Sequence, residues 1–320
     1  MTTNELGLAD SVRSMTAQEG AKARSRLREI YEDAHNRTLH PNALGWPGPP
    51  DAAERDFLSR VVFDRAGRED AARAYIIKEL GQLAEIERHL CAVFGIITSQ
   101  LGADPSPVSE GYDLHHALTC FAAEEYLHSG FFYRYIREVA GRDVGLADPL
   151  FDERLALYQE DDSPYVKLAA MCMAAYVGES VITVFERRTA HLDPERNFFL
   201  TKLLWAHGLD EARHVQVDEV VLERVMPSFT RAERDRAFEI FEETERLNLV
   251  LADRFHGLVS GMFGFDHNVD NPAWDIQVEL AGVFRSGLTD QWPPVPVDER
   301  IDEDTKALLL DFAGAEIVHG

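Results

Sequence analysis

The sequence predicts an all-α protein: four long helices able to form an antiparallel bundle, with further helices at both ends. Three observations predict this class. Apolar residues recur every three or four positions through five long stretches, approximately 69–101, 111–141, 162–190, 194–226 and 230–262. The breaks between them carry the turn and cap residues expected at helix ends. Clear alternating strand patterns are absent from the sequence.

Residues 1–20 read as a loosely packed lead-in. GAKARSRLREIYEDAH then predicts a first helix, stopped by the turn-rich HPNALGWPGPPD. The 69–101 stretch ends in LGADPSPVSEGYD. The 111–141 stretch ends in AGRDVGLADP, and a shorter helix over 148–160 bridges to Ser163 and Pro164, where the next long stretch opens. In LDPE, Pro194 stands at a first-turn position, where its missing N–H costs no intrahelical bond. PSFT at 227–230 introduces the last long stretch. The tail holds two short helical patterns, NPAWDIQVELAGVFR and DEDTKALLLDFAGAE, around QWPPVPVDE. No low-complexity linker divides the chain, so residues 1–320 are expected to form a single domain.

Composition narrows the partners. The 56 acidic residues outnumber the 32 basic ones, giving a formal charge of −24, so nucleic acid and anionic membrane are poor partners. No run approaches about 18 apolar residues, so no membrane-spanning helix is expected. The first residues lack the apolar core of a signal peptide, and the expected location is cytoplasmic. Cys91, Cys120 and Cys172, an odd number without close pairs, argue against a disulfide framework or a zinc or iron–sulfur motif. They are expected as buried thiols.

Chemistry enters with WAHGLDEARHVQVDE, residues 205–219. On a helix, His207, Glu211, His214 and Asp218 fall within an arc of about 60°. The same line continues through Leu200, Leu203 or Leu204 and then Val221 or Leu222, an apolar core stripe. Burying a carboxylate and two imidazoles there costs on the order of several kcal/mol unless something compensates them. A metal ion would do so, whereas a single buried histidine is more often a hydrogen-bonded core residue. Other helices must decide.

They carry matching groups. Ile76, Leu80, Leu83, Glu87, Leu90, Phe94 and Ile97 form one stripe, from which Glu79 and Glu85 deviate. Leu114, Leu118, Phe121, Glu125, His128, Phe132 and Tyr135 form a second; Cys172, Tyr176, Glu179, Thr183 and Glu186 a third. Each of the four helices thus brings a carboxylate to its core face, and the order is doubled: Glu87 then Glu125-x-x-His128, Glu179 then Glu211-x-x-His214. This doubling resembles the ferritin-like carboxylate-bridged dimetal proteins. Two cations about 3.5–4 Å apart need bridging anions, with imidazoles at the outer positions. Each unit is also preceded by an acid, Glu124 or Asp210, about 100° around its helix. We expect Asp210 to orient His128 and Glu124 to orient His214; an exposed surface acid is the alternative for both.

His207 breaks the symmetry, because the equivalent position in the other unit is Phe121. Glu179 followed by His207-x-x-x-Glu211-x-x-His214 resembles the diiron N-oxygenase family typified by p-aminobenzoate N-oxygenase, over roughly residues 70–260. That resemblance implies a homodimeric, ferritin-like enzyme that uses two iron ions and dioxygen to oxidise an amine. It implies the ligands Glu87, Glu125, His128, Glu179, His207, Glu211 and His214, with Glu125 and Glu211 bridging and His207 on the second iron beside Glu179 and His214. Only its stripe position identifies Glu87, and His207 has the alternative of a packing histidine.

The expected reaction is conversion of an aryl or alkyl amine to a hydroxylamine, nitroso or nitro product through a peroxo-diiron(III) intermediate. The additional neutral imidazole adds a donor without adding negative charge. No flavin or nicotinamide motif is present, so electrons are expected from an external reductase or small-molecule donor. Pocket candidates are Phe132, Tyr176 and Thr183, each one turn from a ligand, or else plain core packing. Asp218 is a further hydrogen-bond acceptor behind the ligands or half of a buried ion pair, and Glu186 is expected to meet an arginine. C–H hydroxylation or desaturation on the same scaffold is the nearest alternative. A ferroxidase or iron-storage protein is another, although storage needs a shorter, cage-forming subunit; a catalytically silent bundle is the third.

Overall fold

The computed structural model describes residues 17–101, 112–265, 272–290, 292 and 294. Nine α-helices lie among the described residues, and no strand. They are α1 Ala17–Arg37, α2 Ala52–Phe63, α3 Glu69–Leu101, α4 Asp113–Ala140, α5 Phe151–Gln159, α6 Pro164–Leu192, α7 Phe199–Arg224, α8 Arg231–Phe263 and α9 Pro272–Thr289. The lead-in before residue 17 and the pattern DEDTKALLLDFAGAE lie outside the described residues.

Helix α3 packs along α4, and α6 along α7; contacts of α3 with α6 and of α4 with α7 join the two pairs. Helix α8 covers α3 and α6, α1 lies across α4 and α7, α2 packs on α3, α5 touches α3 and α8, and α9 rests on α6 and α2. The apolar stripes read from the sequence meet inside. Ile76, Leu80, Phe94 and Ile97 of α3 are fully buried, as are Leu118 and Phe132 of α4. Phe94 and Phe121 pack ring against ring at 4.7 Å between the first pair. At Gly81 a Cβ atom would stand 2.6 Å from the Phe255 ring, so the missing side chain is what lets that ring of α8 sit against α3.

Several ends follow the local signals. Ser163 accepts a bond from the Tyr165 N–H ahead of Pro164, and Thr230 with Glu233 forms a reciprocal capping box at the start of α8. Two expectations need correction. Helix α2 was not foreseen: Asp51 caps it by accepting the Glu54 N–H at 2.9 Å, and it buries Phe57, Leu58, Val61 and Val62. Helix α7 begins at Phe199 rather than near Pro194, which lies in a turn where Asp193 accepts the N–H groups of Asn197 and Phe198 at 2.9 and 2.8 Å.

The capping residue of α7, Phe198, has no side-chain acceptor; Glu54 of α2 substitutes, taking the N–H groups of Phe199 and Leu200 at 2.8 and 2.9 Å. A carboxylate from the unforeseen helix thus fixes the start of the helix that carries His207, Glu211 and His214.

Contrary to expectation, one helix, α6, is long and apolar enough to cross a membrane. Most of that window is buried inside the fold, because α3, α7, α8 and α9 all contact this helix and leave it little polar face. Cys172 is buried as expected, while Cys91 and Cys120 are only half-buried; all three are free thiols.

Candidate metal centre

Where α3, α4, α6 and α7 meet, the polar residues that interrupt their stripes converge. Glu87, Glu125, His128, Glu179, His207, Glu211 and His214 are all at least 95% buried. Six of them form two overlapping groups that could each hold a cation: Glu87, His128, His207 and Glu211, and Glu125, His128, Glu211 and His214. Glu179 adjoins the second group, its Oε1 3.8 Å from His214 Nδ1.

Glu211 ties the groups together. Its Oε1 lies 3.0 Å from His128 Nδ1 and 2.9 Å from His207 Nε2, and its Oε2 lies 3.2 Å from His214 Nδ1. His214 Nδ1 also approaches Glu125 Oε1 at 2.8 Å, and His207 Nε2 meets Glu87 Oε1 at 3.0 Å. The resemblance placed His207 beside Glu179 and His214. The structure places it with Glu87 instead, its ring centroid 4.5 Å from that of His128.

Each imidazole is held from outside by a carboxylate. His128 Nε2 bonds Asp210 Oδ2 at 3.1 Å and His214 Nε2 bonds Glu124 Oε2 at 2.9 Å, the two contacts expected from the sequence. His207 Nδ1 bonds Glu186 Oε1 at 2.7 Å. Glu186 therefore meets a histidine, not an arginine. Gly208 makes that contact possible, since a Cβ there would collide with the Glu186 carboxylate. The outer carboxylates engage the outward nitrogen of each ring and leave His128 Nδ1, His214 Nδ1 and His207 Nε2 facing inward, where a bound cation would displace their protons.

Four residues that the sequence reading passed over, Arg213, Asp33, Thr38 and Leu39, complete this outer layer. Arg213 Nη2 donates to both Glu124 and Asp210, and its Nη1 stands 3.5 Å from Asp33 of α1. Just past the end of α1, the Thr38 hydroxyl donates to Glu124 and the Leu39 N–H to Asp210. The signal was Arg213's own place, three residues after Asp210 on the same helix.

The electrostatics describe a site short of positive charge. Burial pushes Glu87 up to about 8 and also raises Glu125, on which the Glu211 charge adds to the effect. Burial, with Asp218 beside it, raises Glu179 well above the carboxylate range. For Glu211 burial works the same way, but the facing His207 and His214 hold it far below its ordinary value. Burial and His207 would lower His128, yet the adjoining carboxylates of Asp210 and Glu211 lift it to about 9. Both oxygens of Glu125 and of Glu179, Oε2 of Glu87, Oε1 of Glu211 and Nδ1 of His128 make no well-directed hydrogen bond, the close approaches among them being side by side rather than donor to acceptor. Buried donors of this kind, oriented inward and unsatisfied, fit divalent cations held by carboxylate oxygen and imidazole nitrogen.

Asp218 lies beside the Cys172 thiol and the Glu179 carboxyl, with burial raising it well above its usual range. Among the described residues it has no cationic partner in ion-pair range, so it is not half of an ion pair.

A narrow cavity of about 20 Å³ borders the cluster, reaching Glu87, Glu125, Glu179, His207 and Glu211. None of the three expected pocket residues lines it. Phe132 packs edge-on against His207 at 4.9 Å, Thr183 donates back to the Glu179 carbonyl, and Tyr176 faces Phe284. The walls are Leu83, Ile86, Leu90, Met171 and Ile182, with Ala174, Ala175 and Gly178 supplying the space.

No family model, curated protein or solved structure matches the chain.

Proposed function

We propose that this protein is a ferritin-like non-haem diiron monooxygenase that uses dioxygen to oxidise an amine nitrogen. One observation carries the reading: the two oxygens of Glu211 face different imidazoles, and each imidazole is turned inward by its own outer carboxylate. In this reading Glu87, His128 and His207 would hold one iron and Glu125, Glu179 and His214 the other, with Glu211 within reach of both sets. When bound, the iron pair supplies the electrons that activate dioxygen.

The protein's own contribution is position and exclusion. Asp210, Glu124 and Glu186 keep the three rings in the ligating tautomer. Phe121 stacks on His214 with ring centroids 3.7 Å apart, and Phe131 and Phe132 lie against His128 and His207, so water reaches the ligands poorly. The amine would enter along the apolar walls. Nitrogen is favoured over C–H as the oxidised atom because a third imidazole adds donor strength without negative charge, which suits an oxidant attacked by a lone pair. A homodimer, a cytoplasmic location and an external electron donor belong to the same proposal.

Anaerobic reconstitution with ferrous iron should give about two iron ions per chain. Exposure to oxygen with a panel of aryl and alkyl amines should then yield hydroxylamine, nitroso or nitro products. Fewer than about one iron per chain, or oxidation at carbon alone, would overturn the proposal.

A further inference from the structure

A hydrated cation cannot reach the Glu/His cluster while every helix stays in place. The seven candidate ligands are at least 95% buried, and the cavity beside them has about 20 Å³. Some element has to move.

The two helices that cover the bundle are held in different ways. Helix α8, over α3 and α6, buries Ile240, Phe241, Leu247, Leu251, Phe255 and Val259. Helix α1, across α4 and α7, buries Leu27, Ile30 and Ala34 among its described side chains. Much of its remaining grip is charge. Arg26 pairs with Glu219 of α7, Arg28 with Asp113 of α4 at 3.2 Å, and Asp33 with Arg213 at 3.5 Å. The Tyr31 hydroxyl donates to Asp113 at 3.3 Å. Arg26, Arg28 and Asp33 are all partly exposed, so water competes for each pair.

What α1 covers is the outer layer of the cluster. Just past its end, the Thr38 hydroxyl and the Leu39 N–H close over Glu124 and Asp210, both almost fully buried. Directly behind these carboxylates stand His214 and His128, at 2.9 and 3.1 Å. From Arg26 to Leu39, α1 therefore follows a line of acids that runs from Glu219 and Asp113 to Glu124 and Asp210, and its own arginines occupy the outermost two.

We infer that α1 is the loading gate of the metal centre. Undocked, it hands that line of carboxylates to an incoming divalent cation; docked, it shuts the ion in. The inference rests on the metal reading above.

The test is the rate of cobalt(II) uptake by the metal-free full-length chain, and of its release to a chelator, followed by visible absorption. Arg26→Ala/Arg28→Ala removes two partly exposed pairs, and both rates should quicken by about five- to tenfold. Cobalt content and helical circular dichroism should not change. Amide exchange of α1 in the metal-free protein should rise by a similar factor while that of α3 does not. Arg231→Ala/Arg246→Ala removes as much charge from α8 and separates gating from plain attraction, which would speed uptake but slow release. This control should leave release no faster than in the wild type. At about 1 M salt, which screens such pairs, the rates of wild type and α1 variant should converge. Should the double variant fail to fold, Arg28→Ala and its salt comparison decide.

Faster α1 exchange with unchanged cobalt rates, or equal acceleration of uptake and release in the α8 control, would overturn the inference and leave the metal centre standing. A folded wild-type chain that takes up no cobalt would remove the metal reading and the gate with it.

Discussion

The two Glu-x-x-His units occupy matching places in the bundle, and their differences begin four residues upstream of each glutamate. In α4 that position is Phe121, whose ring lies flat on His214 with an interplanar angle of 14°. In α7 it is His207, set edge-on to His128 at 60°. Each upstream residue thus reaches the histidine of the opposite unit. One contact is an apolar seal, the other an additional nitrogen braced by Glu186. The doubled Glu-x-x-His pattern thus has two unequal halves, and the inequality resides in one ring on each side.

The largest effect should come from removing what the halves share. Glu211→Ala leaves three imidazoles without their common carboxylate, so iron content should fall from about two per chain to near zero, measured after reconstitution. His207→Phe copies the α4 arrangement into α7. It should hold about one iron per chain and lose product formation, while His207→Gln, keeping a polar tip, should lose less iron. Retention of two irons by His207→Phe would mean that the third imidazole is only packing.

Protonation sharpens the same contrast. In the metal-free chain, Glu87 titrates near 8 instead of 4.5 because it is buried. His128, which burial would lower, titrates near 9 instead of 6.5 because of Asp210 and Glu211. Both raised groups bind protons in the folded state that the unfolded chain has released. Their stabilisation is complete below the unfolded values and lost as pH rises through the folded ones. Thermal melts of the metal-free protein should therefore drop by several degrees, on the order of 5 °C, between about pH 6 and 9. Iron affinity should rise over the same interval, because binding displaces those protons. The smallest effect is Gly208→Ala, which pushes Glu186 away from His207 and should weaken iron binding by about tenfold in the His207 half alone.

Much of this arrangement was legible because a polar residue that faces the core has to interrupt an apolar stripe. Glu87, Glu125, His128, Glu179, Glu211 and His214 each break a three-four repeat, and the acids one residue before Glu125 and Glu211 sit where the opposite histidine can be reached. What stayed hidden depends on neighbours far away in sequence. Nothing local in LDPERNFF shows that Glu54 of α2 caps α7, so Pro194 was given a role it does not have. His207's partner depends on how α3 and α7 sit against each other, which no spacing within α7 encodes. Glu186 was on the expected seam of α6, but its reach to His207 runs over Gly208, a signal carried by another helix. The cavity was missed for a geometric reason. Met171, Ala174, Ala175, Gly178 and Ile182 line a face centred about 100° around α6 from the seam through Tyr176 and Thr183, with Glu179 at their border.

Arg213 gives the two halves a common dependence. One guanidinium clamps both Glu124 and Asp210, and α1 reaches the same spot through Asp33 and Thr38. The aim of His128 and of His214 is thereby delegated to a keystone that touches neither ring. Damage to that keystone, or peeling away of the first helix, would misalign both sides at once, a shared failure mode in an otherwise lopsided centre.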